Sequence, residues 1–421
     1  MKSERVIVAQ KGAREHFLAA RALHRQGRLA SLVTDWYAPS SSLVRQIMLW
    51  SGPRGRAASS TRADGLPGAL VRPLCRTGLW CKWQERFGAR RGNIYSVYDR
   101  TDSAFAGAVA KLTLPPHEVF FGYSYASLEA LEAEKDRGVF TIVDQIDPGP
   151  MEYRLVAEEM DKHPELAGPP APFPTEHYAR ARREWEVADV IVVNSEWSRD
   201  AIIKEGADPA KVKVLPLAYE PGMDQSPKSK VQSRANDKAK LKVLWLGQVN
   251  VRKGIGYVLE AARLLEGEPV DFIVAGPLQI RKEVVANAPK NMRWMGPVPR
   301  NEASKLYAQS DVFVLPTLSD GFALTQLEAL AHALPVVVTP NCGWVVEEAV
   351  TGFVIPPRDS MTLAKALLKF IRDRELAHEM VPACIKAATS FSVDDYGLGL
   401  VSVIQKRLPA ARRQFPVLSG R

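Results

Sequence analysis

Short apolar runs alternate with amphipathic stretches along most of the chain. Six of these runs occur in the first 220 residues and predict β-strands: ERVIVAQ, LASLVTDW, EVFFGYSY, GVFTIVDQID, ADVIVVNSE and KVKVLPLA. Six more follow from residue 241: LKVLWLG, DFIVAG, NMRWMGPV, DVFVLPTL, LPVVVTP and GFVIPP. Strands that alternate with helices form βαβ units and parallel sheets. We therefore predict an α/β protein in which two Rossmann-like parallel-sheet domains face a cleft, where open parallel sheets bind ligands.

A polar stretch separates the two halves. Residues 221–240 contain hardly an apolar side chain, which is typical of a linker. The predicted organisation is therefore an N-terminal domain over 1–220, the linker over 221–240, a C-terminal domain over 241–390, and a last helix with a tail over 391–421. The helix SVDDYGLGLVSVIQKRL begins at a Ser or Asp cap. Its pattern does not identify its packing partner, and a crossing back to the N-terminal domain is compatible with it.

The chain is basic, with 56 Lys and Arg residues against 47 Asp and Glu residues, a net charge of +9. Much of the excess lies between residues 45 and 111, where basic residues meet few acids. Such a region suits anionic lipid or an acidic glycan, and a solvated loop is the simpler alternative. Because no nucleic-acid-binding motif accompanies the charge, we expect no nucleic-acid partner. The stretch 40–91 resembles an insertion that forms part of an acceptor or membrane face.

The cysteines show neither metal-ligand spacing nor a disulfide framework, which is typical of a reducing compartment. They are Cys75, Cys81, Cys342 and Cys384. We predict no metal site. The apolar run in MKSERVIVAQKG is too short for a signal peptide, and no stretch approaches the roughly 18 apolar residues of a membrane span. We therefore expect a cytoplasmic protein, with peripheral contact at the inner membrane face left open.

The stretch LKVLWLGQVNVRKGIGYVLEAARLL predicts a strand, a loop and a helix that opens near Gly254. Arg252 and Lys253 then lie at a helix N-terminus, where the helix dipole disfavours cations by about 0.3–1 kcal/mol. An anion bound there would offset this cost. Free backbone N–H groups, glycines that allow close approach and a lysine together describe a phosphate site. Two solvated cations on a loop are the alternative.

A second group of polar residues follows the strand DVFVLPTL. Asp320 precedes a helix that we predict to begin near Phe322, and Glu328 lies within that helix among apolar neighbours. Asp-Gly is also a common turn, and Asp a common helix cap. A carboxylate in an apolar helix needs a partner because an unpaired buried charge costs several kcal/mol. Ligand hydroxyls, such as the two of a ribose, would serve; a core cation or a place at the helix edge are the alternatives.

Both groups follow strands of one parallel sheet, so they share the edge where such sheets bind ligands. A phosphate clamp and a ribose acceptor in one cleft imply a nucleoside diphosphate.

Three stretches carry a resemblance to a known family: GQVNVRKG, GPVPRNEASKLYAQSDVFVLPTLSDGFALTQLEALAHALPVVVTPNCG and TGFVIPPRD. Together they resemble the donor domain of retaining glycosyltransferases of family 4, the glycosyl transferases group 1, which have the GT-B fold. The resemblance is close over residues 241–400. The N-terminal half is similar in outline only, through ADVIVVNSEWSRDAI. The resemblance implies transfer of a sugar, with retained anomeric configuration, from a nucleotide-diphosphate donor to a glycan, lipid-linked or other acceptor in polysaccharide or glycoconjugate assembly.

The resemblance also implies residue roles. Asp320 and Glu328 occupy the two ends of the family's E-x7-E motif, so Glu328 would bind the donor ribose and Asp320 a sugar hydroxyl. Lys253 would neutralise the diphosphate, and these three residues are the implied catalytic set. The implied donor-binding residues, which include backbone contacts to the diphosphate and the edge of the base pocket, are Gly247, Gln248, Arg252, Gly254, Gly296, Val298, Gly321, Phe322, Ala323 and Leu324. No metal and no permanently bound cofactor are implied; the nucleotide sugar is a co-substrate.

Three positions depart from the family pattern. Asp320 replaces the first Glu, and Gln248 stands where the family usually has Arg. The family often has a His after the strand that corresponds to EVFFGYSY, where this chain has Tyr123. The candidate residues on the acceptor side are therefore Gly12, His16 and Tyr123. The departures keep open two alternatives: a non-catalytic GT-B relative that binds nucleotide or glycan, and a sugar-nucleotide epimerase.

Overall fold

Two parallel β-sheets organise the protein. The structure, a computed structural model, describes residues 4–37, 65–88, 93–220 and 240–408. The linker predicted for 221–240 lies outside these residues except for Lys240, and so do much of the stretch 40–91 and the tail beyond Leu408. None of the helices in the described ranges has both the length and the apolar character needed to cross a bilayer.

The first sheet contains seven described strands, all paired in parallel. They are Val6–Gln10 (β1), Leu29–Thr34 (β2), Val71–Pro73 (β3), Val119–Tyr123 (β4), Phe140–Gln145 (β5), Val190–Val193 (β6) and Val212–Val214 (β7). The six strands predicted for this half are confirmed. The edge strand β3 was not predicted because only three residues form it, of which only Val71 is buried.

Helices cover both faces of this sheet, which is why its central strands are continuous apolar runs. The helices of this half are Leu18–Arg25, Cys75–Gly88, Ile94–Ala110, Leu128–Asp136, Pro150–Lys162, Thr175–Val187 and Glu196–Lys204. Short 3₁₀ turns occur at Arg14–His16 and Gly68–Leu70.

The second sheet contains six described strands, again all parallel. They are Leu241–Leu246 (β8), Val270–Ala275 (β9), Met292–Gly296 (β10), Val312–Leu315 (β11), Val336–Val338 (β12) and Gly352–Val354 (β13). All six were predicted. The helices of this half are Ile255–Leu264, Lys282–Ala286, Arg300–Gln309, Leu324–Ala331, Ser360–Arg372, Glu375–Glu379, Val381–Thr389 and Val393–Arg407. The helix predicted to begin near Phe322 begins at Leu324, because Phe322 and Ala323 are still extended or turn residues.

The last helix, Val393–Arg407, packs on the N-terminal half. Ser392 caps it by accepting the N–H of Asp395 at 3.1 Å. Its Gly397 faces the helix Leu18–Arg25 so closely that an added Cβ would lie 3.2 Å from the carbonyl oxygen of Ala22. Just before the helix, the carbonyl of Phe391 accepts the N–H of Tyr219 at 2.8 Å. The chain therefore returns to the first domain beside the point where it leaves it.

Candidate functional site

Each sheet reverses its strand order at one place. In the second sheet the order is β10-β9-β8-β11-β12-β13. The strands that follow β8 in sequence, β9 and β10, therefore lie on one side of β8, whereas β11 and the strands after it lie on the other side. The first sheet, β3-β2-β1-β4-β5-β6-β7, does the same between β1 and β4. Loops that leave such a switch point in opposite directions open a crevice at the carboxyl ends of the strands. The structure thus has two crevices in which ligands are expected.

The loops after β8 and β11 meet through an ion pair between Lys253 and Asp320. The second oxygen of Asp320 lies 3.4 Å from the guanidinium of Arg252. Arg252 in turn donates to the carbonyl of Ser319 at 3.2 Å. The three charged residues predicted from two separate stretches therefore form one cluster at the switch point.

The loop that carries Lys253 depends on its glycine. Gly254 has φ 76°, and a Cβ there would lie 1.8 Å from the carbonyl oxygen of Pro316. Only glycine fits this close approach and this left-handed backbone. Asn250 holds the preceding turn by accepting the N–H of Lys253 at 3.0 Å. The helix Ile255–Leu264 begins directly after it, so its N-terminus lies beside the cluster.

An acid from the other domain joins this cluster. Glu152, in the first turn of Pro150–Lys162, lies 3.5 Å from the guanidinium of Arg252. Sequence reasoning missed this residue, and an acid in the first turn of a helix is too common to single it out. Arg252 therefore bridges carboxylates from both domains.

Burial and charge set the protonation of these acids. Burial would raise the pKa of Asp320, but the cations of Lys253 and Arg252 outweigh it and hold that pKa below its ordinary value. Burial raises the pKa of Glu152 to about 7, because Arg252 only partly offsets it and nearby carboxylates add to it. At neutral pH Asp320 is therefore charged, whereas Glu152 titrates.

The domains touch beside the cluster. A Cβ at Gly321 would lie 2.7 Å from the carbonyl oxygen of Ile146 and from the side-chain amide of Asn194, both in the N-terminal domain. The indole of Trp197 donates to the hydroxyl of Ser319 at 3.0 Å. The segment 319–321 is thus enclosed between the two sheets.

Glu328 lies in the second turn of the helix Leu324–Ala331, which follows the loop of Asp320. Its side chain is half-buried and accepts the hydroxyl of Tyr307 at 2.9 Å. Burial raises its pKa, and the hydrogen bond from Tyr307 and the charge of Arg300 oppose that shift. The described partner of this carboxylate is therefore a neutral hydroxyl rather than a core cation.

The remaining predicted donor residues follow strands of the same sheet. Gly247 and Gln248 follow β8, with Gln248 exposed, and Gly296 ends β10 ahead of the half-buried Val298. Phe322 and Ala323 are buried at the start of the helix Leu324–Ala331. The N–H of Ala323 already donates to the carbonyl of Cys342 at 3.0 Å. The first N–H groups of the helix that follows have no acceptor within the helix.

The crevice of the first sheet contains a cavity of about 450 Å³ at the ends of β1, β2, β4 and β5. Gly12 and Tyr123 line it, as do Asp35, Asp147 and Tyr125. His16, the third residue predicted here, does not line the cavity; its ring accepts a hydrogen bond from Arg300 of the C-terminal domain at 3.2 Å. His16 therefore lies between the two domains.

The wall of this cavity holds side-chain pairs that the sequence does not indicate. Lys11 donates to Asp102 and to Thr101, each at 2.6 Å. His177 lies 2.6 Å from Asp99 and stacks on Tyr125 with 4.1 Å between ring centres. These partners are far apart in sequence, so no local pattern indicates them. The cavity is thus lined by aromatic rings, by the carboxylates of Asp35, Glu85, Asp102 and Asp147, and by the cations of Lys11, Arg14 and Lys82.

A larger cavity of about 520 Å³ lies elsewhere, between the helices Pro150–Lys162 and Ile255–Leu264. It holds none of the predicted site residues. Within the described ranges no cluster of three or more His, Cys, Asp or Glu side chains has the arrangement of a metal site.

Residues 240–373 match the family model described as Glycosyl transferases group 1. Among curated proteins, the chain is 26% identical over 207 residues to the amylovoran biosynthesis glycosyltransferase AmsK of Erwinia amylovora, covering 45% of this chain and 50% of that protein. It is 28% identical over 246 residues to a D-inositol 3-phosphate glycosyltransferase of Kineococcus radiotolerans, covering 50% and 56%. The matches therefore span about half the length of these curated relatives.

Solved structures extend the likeness to the whole fold. Anabaena HepE in complex with UDP and glucose superposes with a TM-score of 0.57 at 13% identity, over 96% of this chain and all of that one. Sucrose-phosphate synthase from Thermosynechococcus elongatus gives 0.60 at 15% identity, over 96% and 98%. At such identities the likeness concerns the fold alone. Residues 240–373 are therefore similar to the glycosyl transferases group 1, and the protein has the GT-B fold.

Proposed function

We propose that this protein is a retaining, family 4 glycosyltransferase that moves a sugar from a nucleotide-diphosphate donor to a glycan or lipid-linked acceptor in polysaccharide or glycoconjugate assembly. The observation that carries the proposal is the cluster of Lys253, Arg252 and Asp320 at the switch point of the second sheet. Amylovoran biosynthesis by one relative, and UDP with glucose in one structural neighbour, support the class of reaction.

The donor diphosphate would bind at Lys253. Two helices, Ile255–Leu264 and Leu324–Ala331, begin beside this residue, and free N–H groups at a helix N-terminus attract anions. The carboxylate of Asp320 pairs with the ammonium group of Lys253. An arriving diphosphate would take over that contact and leave the Asp320 carboxylate to accept a hydroxyl of the sugar.

The donor ribose would bind at Glu328. A carboxylate offers about four acceptor positions, and Tyr307 uses one of them. Two ribose hydroxyls can therefore donate to the same group. Gly296, at the end of β10, and the half-buried Val298 would contact the base.

The reaction would proceed on one face of the sugar. The acceptor oxygen forms a bond to the anomeric carbon while the bond from that carbon to the diphosphate breaks, so the configuration is retained. The proton of the acceptor hydroxyl moves to an oxygen of the departing diphosphate. Lys253, Arg252 and the helix N-termini stabilise the negative charge that develops there. Because these groups supply the positive field, turnover is expected without an added metal ion.

The acceptor would bind in the cavity of the first sheet. Aromatic rings such as Tyr125 suit the apolar faces of a sugar, and carboxylates such as Asp35 accept its hydroxyl groups. Ile146 lines this cavity, and its carbonyl lies close to Gly321 of the loop proposed to bind the donor. Tyr123 and Gly12 would lie on the acceptor side of the reacting carbon.

One observation favours a second candidate, a non-catalytic relative that binds nucleotide or glycan. Gln248 is exposed and neutral where the family usually has Arg, so the field at the donor site lacks one cation. A sugar-nucleotide epimerase on the same architecture is a further alternative. Nucleotide binding without any turnover would favour the non-catalytic protein.

Calorimetric titration with UDP, GDP, ADP and TDP, without and with magnesium, tests the proposal. We expect selective binding of one nucleotide that does not depend on the metal. Hydrolysis of a panel of sugar nucleotides with the selected base would then identify the donor. Binding of none of the four nucleotides would refute the donor site.

A further inference from the structure

The helix Cys75–Gly88 presents an apolar stripe to solvent. Its members are Leu79, Trp80, Trp83 and Phe87, whose side chains are 59%, 40%, 58% and 45% exposed. Trp80, Trp83 and Phe87 follow one another at spacings of three and four, and Leu79 lies beside Trp80 and four positions before Trp83, so all four share one side of the helix. The rings of Trp83 and Phe87 are in contact, with 5.9 Å between their centres. Large exposed apolar patches of this kind usually mark an interaction surface.

The opposite side of the helix holds this orientation in place. Gly78 packs against the strand end at Asp35, where an added Cβ would lie 2.3 Å from the carbonyl oxygen of Asp35. Cys81 is buried, and its thiol donates to the carbonyl of Thr101 at 3.5 Å. The helix therefore cannot turn its aromatic side chains inward without losing both contacts.

Cations surround the stripe. Arg76, Lys82 and Arg86 on the same helix are exposed, and so is Arg72 on the strand before it. The one acid of the helix, Glu85, is engaged with Lys82 at 2.9 Å and with Lys11 at 3.5 Å. Aromatic residues that insert at the level of lipid headgroups, together with cations that pair with anionic headgroups, are typical of interfacial helices.

We propose that the stripe of Cys75–Gly88 docks this protein on an anionic membrane surface. The position of the helix relates the docking to the cavity of the first sheet. Lys82 and Glu85 line the cavity of the first sheet, while Trp83 and Phe87 point away from it. A docked helix therefore holds the mouth of this cavity at the bilayer surface. The further step, that the acceptor is carried by a lipid, rests on the function proposed above.

Sedimentation of the full chain with vesicles tests the docking. We expect binding to phosphatidylcholine vesicles that contain about 30% phosphatidylglycerol and little binding to phosphatidylcholine alone. The double variant Trp83→Ser/Phe87→Ser should bind at least about tenfold more weakly, and Arg76→Glu/Arg86→Glu should do the same. Matched controls are Leu398→Ser, at an exposed apolar position of the C-terminal helix, and Lys305→Glu, at an exposed cation; neither should change binding. Hydrogen exchange on vesicles should slow in 75–88.

Several outcomes would overturn the proposal. One is absence of binding to anionic vesicles, and another is unchanged binding of both double variants. A third is a wild-type dimer that becomes monomeric in the variant Trp83→Ser/Phe87→Ser, which would show that a second copy covers the stripe. Cross-linking from a photo-reactive phenylalanine analogue at position 87 into residues 38–64 would show that the chain covers its own stripe.

Nucleotide titration separates this test from the proposed function. The variant Trp83→Ser/Phe87→Ser should bind nucleotide like the wild type. A wild type that binds no nucleotide would refute the donor site while leaving the vesicle result valid.

Discussion

The ammonium group of Lys253 and the carboxylate of Asp320 form an ion pair between loops that are 67 positions apart in sequence. β8 and β11 are neighbours in the sheet, which is why these loops meet. The pair places an anion of the protein itself at the position proposed for the donor diphosphate. Asp320 and the diphosphate are therefore competitors for one cation.

The variant Asp320→Asn separates the two roles proposed for this carboxylate. We expect its affinity for the preferred nucleoside diphosphate to equal or exceed that of the wild type, because Lys253 loses its competing anion. Turnover with the nucleotide sugar should fall at least about tenfold, because a charged acceptor for the sugar hydroxyl is lost. Calorimetry and steady-state kinetics measure the two effects. A large loss of nucleotide affinity would contradict this account.

The variant Lys253→Ala should weaken nucleotide binding by about 10- to 100-fold, because the diphosphate loses a partly buried charged partner. Lys305→Ala is the matched control, since Lys305 is an exposed lysine of the same domain, paired with Glu302. Calorimetric titration of both variants with the same nucleotide decides the matter. Equal affinities would remove Lys253 from the donor site.

The variant Glu328→Ala should also weaken nucleotide binding about 10- to 100-fold, because both ribose hydroxyls lose their acceptor. Tyr307→Phe should have a smaller effect, since it removes only the group that orients Glu328. The control is Glu302→Ala, an exposed acid on the helix Arg300–Gln309. A 2′,3′-dideoxy nucleotide should bind wild type and Glu328→Ala alike. A persistent difference with that nucleotide would contradict the ribose contact.

Glu152 should make stability depend on pH. Its pKa is about 7 in the folded protein against 4.5 for an ordinary Glu, so the folded state binds the proton more tightly. This contribution to stability is complete below pH 4.5 and is lost as the pH rises through about 7. Glu152→Gln stays neutral and does not lose this contribution. Between pH 4.5 and pH 8, its free energy of unfolding should therefore rise by about 1–3 kcal/mol relative to that of the wild type.

Urea unfolding at both pH values measures this difference. Glu196→Gln is the control, because Glu196 lies on the exposed face of another helix of the same domain. Parallel pH profiles for wild type and Glu152→Gln would show that Glu152 titrates normally.

The variant Gly254→Ala should destabilise the protein by about 3 kcal/mol or more, because in the loop after β8 it combines a left-handed φ with a clash against Pro316. The variant Gly267→Ala measures the effect of the left-handed φ alone, because Gly267 has φ 100° but open space around its Cβ position. We expect that variant to lose only about 1 kcal/mol. Thermal unfolding compares the two. Similar losses would show that the loop relaxes around the added methyl group.

The sequence predicts the sheets well because their strands are buried on both faces and therefore form continuous apolar runs. The strand Val71–Pro73 is not predicted, since its three residues at the sheet edge form no continuous apolar run. The contact between Lys253 and Asp320 follows from the parallel topology once the strands are known.

Contacts between the domains lie beyond such reasoning. The approach of Glu152 to Arg252 joins residues 100 positions apart, and it depends on how two separately folded sheets are set against each other. The pair of Lys11 and Asp102 joins a strand end to a helix 91 positions later. Periodicity indicates which face of an element is buried, but it carries no information on which element covers that face.

The return of the chain to its first domain has a mechanical consequence. Two backbone segments join the domains, and the hydrogen bond between Tyr219 and Phe391 holds them side by side. Any relative rotation that preserves this bond must turn about an axis close to it. The proposed donor and acceptor sites would then rotate about a common hinge axis, so that they separate or meet without sliding past each other.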